Sequence, residues 1–534
     1  MNKSLTTKLS TTVNIITIKS FIPINKRMST VSSTPKHQDT IELSYTDQIR
    51  TKLKYLSTKF YFKKKEVEIL NDPDCFYNTL KQKISNAKER VFLATLYIGK
   101  SEDELVECIS DALKYNSKLK VYFLLDGLRG TRESPSKCSA QLLSQLTHDY
   151  KDRVDIRLYK TPAYIGWKKA LIPSRFDEAL GLQHMKIYGF DNEVMLSGAN
   201  LSNDYFTNRQ DRYFLFKNKL FANYHFALHQ LISSLSYKLE YSTNQMKYQL
   251  LWPSTNICSE PLKGRRKFIR KTSKVLSDFL HNPNDNLLQS INEPVDKNIY
   301  PTTVYPISQF SPLFHSFEDK STEKPTILNL ISCIKSPSIN WMFTTGYFNM
   351  LPEIRDQLLK TPSNNSIVIT ASPYANGFFE SKGISKHLPA AYLFLSKKFL
   401  KSVHNANKSN YIHLREWKKG VITQPGGWSY HAKGLWISKE EANQGKNESD
   451  IIKEIPFATV IGSSNYTKRA YSLDLESNAV IVTDDMELRL ELYKELRNLL
   501  KNTKEINLED FRNDKDRKIP TGVKVATSIL GKKL

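Results

Sequence analysis

One short pattern occurs twice in this chain, and that repetition limits the fold more than any other feature. His184-Met185-Lys186, closed by Asp191, leads into Ser197-Gly198-Ala199-Asn200. A near copy follows at His431-Ala432-Lys433 with Gly462-Ser463-Ser464-Asn465. Around each copy, strand-like runs of β-branched and aromatic residues alternate with helical patterns. The reading is a duplicated α/β unit, with one site where the two halves meet.

In the first half, strands are expected at Val91–Tyr97, Lys120–Leu125, Val154–Tyr159, His184–Phe190, Glu193–Leu196 and Arg212–Phe216. Helices are expected over 76–90, 102–115 and 138–149, and a long amphipathic stretch over 218–249. The second half offers strands near 339–347, 366–371, 411–416, 430–438, 457–461 and 478–483. Boundaries follow: a leader over 1–38, a first half over 40–250, a connector over 251–325, a second half over 326–505 and a charged tail over 506–534. The connector is rich in Pro, Ser and Asn. It carries Lys263, Arg265, Arg266, Lys267, Arg270 and Lys271 around Phe268 and Ile269, a mixture that suits an anionic bilayer surface or a solvated helix face.

Side chains at i and i+2 of a strand share a face, so each histidine is expected to project with its lysine. An imidazole can attack phosphorus or carry a proton near neutral pH. The neighbouring ammonium offers donors to a phosphoryl oxygen. Asn200, Ser463 and Asn465, in turns after the next strand, are candidate phosphate contacts. Two such half-sites suit exchange at a phosphodiester.

These paired motifs resemble those of the phospholipase D superfamily. More narrowly, the chain resembles the eukaryotic phosphatidylglycerophosphate synthases, a family of CDP-diacylglycerol–glycerol-3-phosphate 3-phosphatidyltransferases. The narrower likeness rests on the run from Asp204 to Tyr213, on Ala371-Ser372-Pro373 with Asn376-Gly377-Phe378-Phe379, and on Gly427-Trp428 before His431. It implies a duplicated phospholipase D-like sandwich acting on CDP-diacylglycerol and glycerol 3-phosphate. It also implies catalysis by His184, Lys186, Asp191, His431 and Lys433. His184 would be the nucleophile, forming a phosphatidyl-histidine, with His431 moving the proton. Asp211 and Glu476 match the acids that orient the imidazoles in this superfamily, and Asp211 is expected behind His184. Two departures stand out: Ser197-Gly198 reverses the usual Gly-Ser order, and Ser438 replaces the second aspartate.

No metal or cofactor is required by such a site, any divalent ion being carried by the substrate. Ala94, Gly99, Lys100 and Ser101 satisfy a loose nucleotide-loop pattern, but the intervening residues read as strand, so ATP is not expected. Arg129 and Arg132 are further candidates for a substrate phosphate.

The net charge of +24 in 534 residues points to anionic partners without choosing among them. A phosphodiesterase or nuclease using the same site is therefore the alternative reading. The family-specific segments favour the lipid substrate, and nucleic acid is not expected as a partner. No apolar run reaches the roughly 18 residues of a spanning helix, so membrane attachment would be peripheral. Five cysteines without C-x-x-C spacing imply neither a disulfide framework nor a zinc site. Met1–Gln38 contains no acidic residue and has scattered Lys and Arg among Ser and Thr, the composition of a mitochondrial presequence. Placement at the inner membrane follows from that reading.

Overall fold

The computed structural model describes residues 43–164, 177–282, 295–315, 317–441 and 453–531. The expected presequence lies outside them. Two nine-stranded sheets dominate. The first runs, edge to edge, Tyr248–Leu251, Tyr237–Tyr241, Val154–Tyr159, Lys120–Asp126, Arg90–Ala94, Ile187–Phe190, Glu193–Ser197, Tyr213–Phe216 and Val67–Leu70. The second runs Thr503–Ile506, Ile412–Trp417, Ser366–Ala371, Ile339–Thr345, Lys433–Glu441, Lys453–Gly462, Glu476–Thr483, Thr302–Gln309 and Phe60–Phe62. From the third strand of the first list and the second strand of the second, the orders correspond strand for strand. Both have three parallel strands, then an antiparallel meander. The duplication expected from the motifs is therefore present in the topology.

Burial explains the layering. The inner parallel strands of the first sheet, Arg90–Ala94 and Lys120–Asp126, are mostly buried apolar runs, whereas the outer ones, Val154–Tyr159 and Ile412–Trp417, alternate. Helices Pro73–Asn86, Asp103–Tyr115 and Ser139–Tyr150 close the outer face of the first sheet through Phe76, Leu80, Ile109 and Leu143. Asp72 starts the first of these by accepting from Cys75 N at 2.8 Å, with Pro73 in the first turn. Between the sheets lie Lys219–Ser233, Pro261–His281 and Met486–Leu500, whose Phe221, Leu276 and Leu492 join residues of both halves in one core.

Four expectations change. The amphipathic stretch 218–249 is a helix only to Ser233, then a hairpin of Tyr237–Tyr241 with Tyr248–Leu251. The segment read as a connector instead contributes the Pro261–His281 helix and the Thr302–Gln309 strand. Phe268 and Ile269, expected among surface cations, are buried in the central core. The His184–Phe190 strand begins only at Ile187, so His184 and Lys186 occupy the chain leading into it.

Candidate active site

Each histidine is set in place by a short parallel bridge between the halves. Gln183 pairs with Leu475, and His184 N donates to Leu475 O at 2.9 Å. In the same way Ser429–Tyr430 pairs with Arg209–Gln210, and His431 N donates to Gln210 O at 2.8 Å. The residue after each partner is an acid, so each bridge delivers a carboxylate to the histidine of the opposite half. Gln183 steadies the first bridge, its amide donating to the carbonyls of Thr95 and Leu124 at 3.0 and 3.2 Å.

The pairing of histidines and acids is therefore crossed. His184 Nδ1 lies 2.9 Å from Glu476 Oε1, and His431 Nδ1 lies 2.6 Å from Asp211 Oδ2. This corrects the expectation of Asp211 behind His184. Sequence order suggests the acid of the same half, whereas the bridges exchange them. With Nδ1 donating to a carboxylate, Nε2 is the atom left for chemistry.

The lysines close the cluster. Lys186 Nζ donates to His184 O, and Lys433 Nζ to His431 O, each at 2.7 Å. Lys433 Nζ also stands 3.7 Å from Asp211 Oδ2. Burial pulls Lys186 down to about 7 against the opposing charge of Glu476, with Lys433 adding to the fall. Burial pulls Lys433 down to about 8 despite Asp211 beside it. Both imidazoles are held well below their ordinary range by burial and then by their own lysines. Burial pushes Glu476 up to about 7, opposed by Lys186 and Ser463, and it also raises Asp211. Six titrating groups thus share one desolvated space.

The turn residues divide. Ser463, expected on phosphate, donates its hydroxyl to Glu476 Oε2 and so braces the acid behind His184. Asn200 donates to Tyr205 Oη at 3.1 Å, and that hydroxyl lies 3.2 Å from His431 Nε2. The side-chain oxygen of Asn465 is buried without a partner among the described residues.

Asp191 is not part of the cluster. Its carboxylate accepts from the amides of Lys88, Glu89 and Arg90 at 2.8, 2.8 and 2.9 Å, fixing the turn into the Arg90–Ala94 strand. The 94–101 segment forms no phosphate cradle. Gly99 N donates to Leu201 O at 2.7 Å, and the Glu102 carboxylate fills the space beside the glycine. Lys100 points to Glu133 at 3.5 Å, Ser101 is exposed, and Ala94 ends a strand. Arg129 stacks on Tyr97, 4.4 Å from its ring centroid.

Several neighbours were given no role from sequence. Tyr205 and Tyr347 both set their rings edge-on to His431, with centroids 5.1 and 5.4 Å away. Arg212 crosses from the first half to form a buried pair with Glu495 at 2.7 Å, and donates to the carbonyls of Lys433 and Val460. Its guanidinium occupies the place of a Gly434 side chain, since a Cβ there would fall 2.0 Å from Nη1. Only the run Asp204–Tyr213 signalled such residues in advance, by its likeness to the family.

Two matched sheets meeting at crossed histidine–carboxylate pairs form a duplicated phospholipase D-like fold. The crystal structure of phosphatidylserine synthase from Haemophilus influenzae shares this fold, with a TM-score of 0.63 and 18% identity over 92% of this chain and 99% of that one. The chain belongs to the family of CDP-diacylglycerol–glycerol-3-phosphate 3-phosphatidyltransferases. The Saccharomyces pastorianus member is 57% identical over 513 residues, which cover 96% of this chain and 95% of the relative. The Homo sapiens member, named as mitochondrial, is 32% identical over 498 residues, or 90% and 84% of the two chains. No family model matches the sequence.

Proposed function

We propose that the chain transfers a phosphatidyl group from CDP-diacylglycerol to glycerol 3-phosphate through a phosphatidyl-histidine on His184. The observation that carries this reading is the crossed pairing, which leaves two imidazole Nε2 atoms and two lysines around one space. In the first step His184 Nε2 attacks the β-phosphorus and the bond to the departing phosphate oxygen breaks. CMP leaves with a proton from His431, which takes that proton up as the anionic donor enters and offsets the burial and cations that otherwise keep the ring neutral. In the second, the primary hydroxyl of glycerol 3-phosphate gives its proton to His431. Its oxygen then displaces His184 from phosphorus. Lys186 and Lys433 stabilise the non-bridging oxygens in both steps. Glu476 and Asp211 hold the rings and offset the imidazolium charge.

The proposed setting is the surface of a mitochondrial membrane. Mammalian relatives are named mitochondrial, and the 1–38 composition agrees with import. Among the described residues no helix is long and apolar enough to cross a membrane. The test supplies purified protein with CDP-diacylglycerol and labelled glycerol 3-phosphate. Labelled phosphatidylglycerophosphate should form with CMP and disappear in His184→Ala. Release of phosphatidic acid without transfer would overturn the reading.

A further inference from the structure

Two segments carry this chain's likeness to its family: Asp204–Tyr213, which also brings Asp211 to His431, and Asn376–Phe379. They come from different halves and meet at one side chain, Arg209. Its guanidinium lies 4.4 Å from the Tyr205 ring centroid, and Nε donates to Ser429 Oγ at 2.8 Å. The backbone at Gly377 closes over it: a Cβ there would stand 3.1 Å from Tyr347 Oη and 3.5 Å from Arg209 Nη2. Asn376 Oδ1 holds that turn by accepting from Phe378 N at 3.0 Å, and the Phe378 ring packs 5.5 Å from that of Tyr347. Tyr205 and Tyr347 are also the two rings against His431. Arg209 thus stands on the His431 side of the site, one aromatic layer from the imidazole.

The second substrate poses a charge problem. Glycerol 3-phosphate carries a phosphomonoester dianion in addition to the hydroxyl that reacts, while Lys186 and Lys433 are committed to the transferred phosphate. Arg212 is locked to buried Glu495, and Arg469 is tied to Asp474, whose side chain is 6% exposed and also accepts from Leu182 N. Arg209 differs. Its side chain is 12% exposed, and its partner Asp204, at 2.6 Å, is 40% exposed. A half-open carboxylate holds an arginine weakly, and a dianion matching the guanidinium fork can replace it.

We propose that Arg209, framed by Tyr205, Tyr347 and the Gly377 turn, is the subsite for the phosphomonoester of the acceptor, and that it delivers the acceptor's hydroxyl to His431. The subsite rests on the function proposed above and adds to it the basis for choosing a phosphorylated polyol as acceptor. Its contact with a substrate phosphate is made only in the second half-reaction.

That separation supplies the test. Exchange of labelled CMP into CDP-diacylglycerol reports the first half-reaction alone, and transfer to glycerol 3-phosphate reports both. In Arg209→Gln the KM for glycerol 3-phosphate should rise at least tenfold, with the KM for CDP-diacylglycerol within twofold of the parent. CMP exchange, which also feels the Arg209 charge on His431, should change severalfold less than transfer at low glycerol 3-phosphate. Arg209→Lys, a point charge without the fork, should fall between. An unmoved KM for glycerol 3-phosphate alongside normal exchange would overturn the subsite alone. Exchange lost together with transfer in both variants would assign Arg209 to the donor or the frame and overturn it equally. A parent protein without CMP exchange would remove the histidine intermediate, and this subsite with it.

Discussion

Gly198 and Ser463 occupy matching positions in the two turns, and the acids beside them explain why they differ. A Cβ on Gly198 would fall 2.7 and 2.8 Å from the Asp211 carboxylate oxygens and 2.9 Å from Lys433 Nζ, so only glycine fits against the shorter acid. Opposite the longer Glu476, a serine fits and its hydroxyl donates to the carboxylate. The reversed Ser197-Gly198 order is thus an adjustment to aspartate on one side and glutamate on the other. Such pairings were not legible in the sequence, because each acid reaches its histidine across the halves. The ionisable groups also set a pH dependence. Glu476, pushed up to about 7 by burial, is neutral below that pH and anionic above it. Lys186 and Lys433, pulled down to about 7 and about 8, are cations below those values and neutral above them. The acid limb of kcat/KM for CDP-diacylglycerol therefore comes from Glu476 and the alkaline limb from the lysines, giving a narrow bell. In Glu476→Gln the maximum should fall at least tenfold and the acid limb should vanish, while the alkaline limb remains. A full pH profile with an acid limb persisting in that variant would contradict this assignment.

At the scale of elements, alternating apolar runs located most strands to within a few residues, since burial on the sheet faces dictates them. Val154–Tyr159 was bounded correctly, and Ser366–Ala371 agrees with the expected 366–371. The failures have separate causes. Tyr237–Tyr241 is read as a continuation of the preceding helix, because short aromatic runs carry no decisive period. Thr302–Gln309 contains Pro306, which argues against a strand in sequence, yet it pairs along its whole length with Glu476–Thr483. Asp191 shows the reverse case: the motif marks it correctly, but its work is structural. It sits at φ +49° at the tip of a hairpin and collects three amides of a neighbouring turn. The second half has Ser438 at the matching place and anchors its strand differently. Asn340 Oδ1 accepts from the amides of Asn364 and Asn365, and Glu454 accepts from Asn340 Nδ2 at 3.1 Å. Loss of the second aspartate is therefore compensated within the sheet. Asp191→Ala should destabilise by about 1–3 kcal/mol, the cost of leaving such donors unmet, with kcat within twofold of the parent. Asp191→Asn, which tolerates the positive φ and keeps an acceptor, should cost less. Thermal melts alongside transfer rates check both, and a large fall in kcat at unchanged stability would return Asp191 to the catalytic set.

Across the whole molecule, the two halves are joined by more than a shared core. Phe60–Phe62, early in the first half, forms an edge of the second sheet by pairing with Thr302–Val304. Arg212 reaches from the first half to Glu495 and Thr459 in the second, where it is fully buried. Each bridge beside a histidine needs a strand segment from both halves. Neither half therefore contains a complete His–carboxylate pair, although the first has a full sheet with its outer helices and the second lacks only the Phe60–Phe62 edge and the Tyr45–Lys52 helix packed on its outer layer. Those outer layers should let each half retain secondary structure, whereas the central core depends on both. Production of the chain as two fragments, divided between residues 283 and 294, separates these contributions. Each fragment alone should show helical and strand signals by circular dichroism, with CMP exchange and transfer below detection. Co-expressed fragments should associate through the Phe60–Phe62 pairing and the Arg212–Glu495 ion pair and recover activity, because a buried ion pair of this kind costs several kcal/mol to break. Arg212→Ala in the first fragment should weaken that recovery more than it weakens the intact chain, where the covalent connection keeps the halves together. CMP exchange by either isolated fragment would show that a single half can supply its own orienting acid, and would overturn the crossed arrangement as a requirement for catalysis.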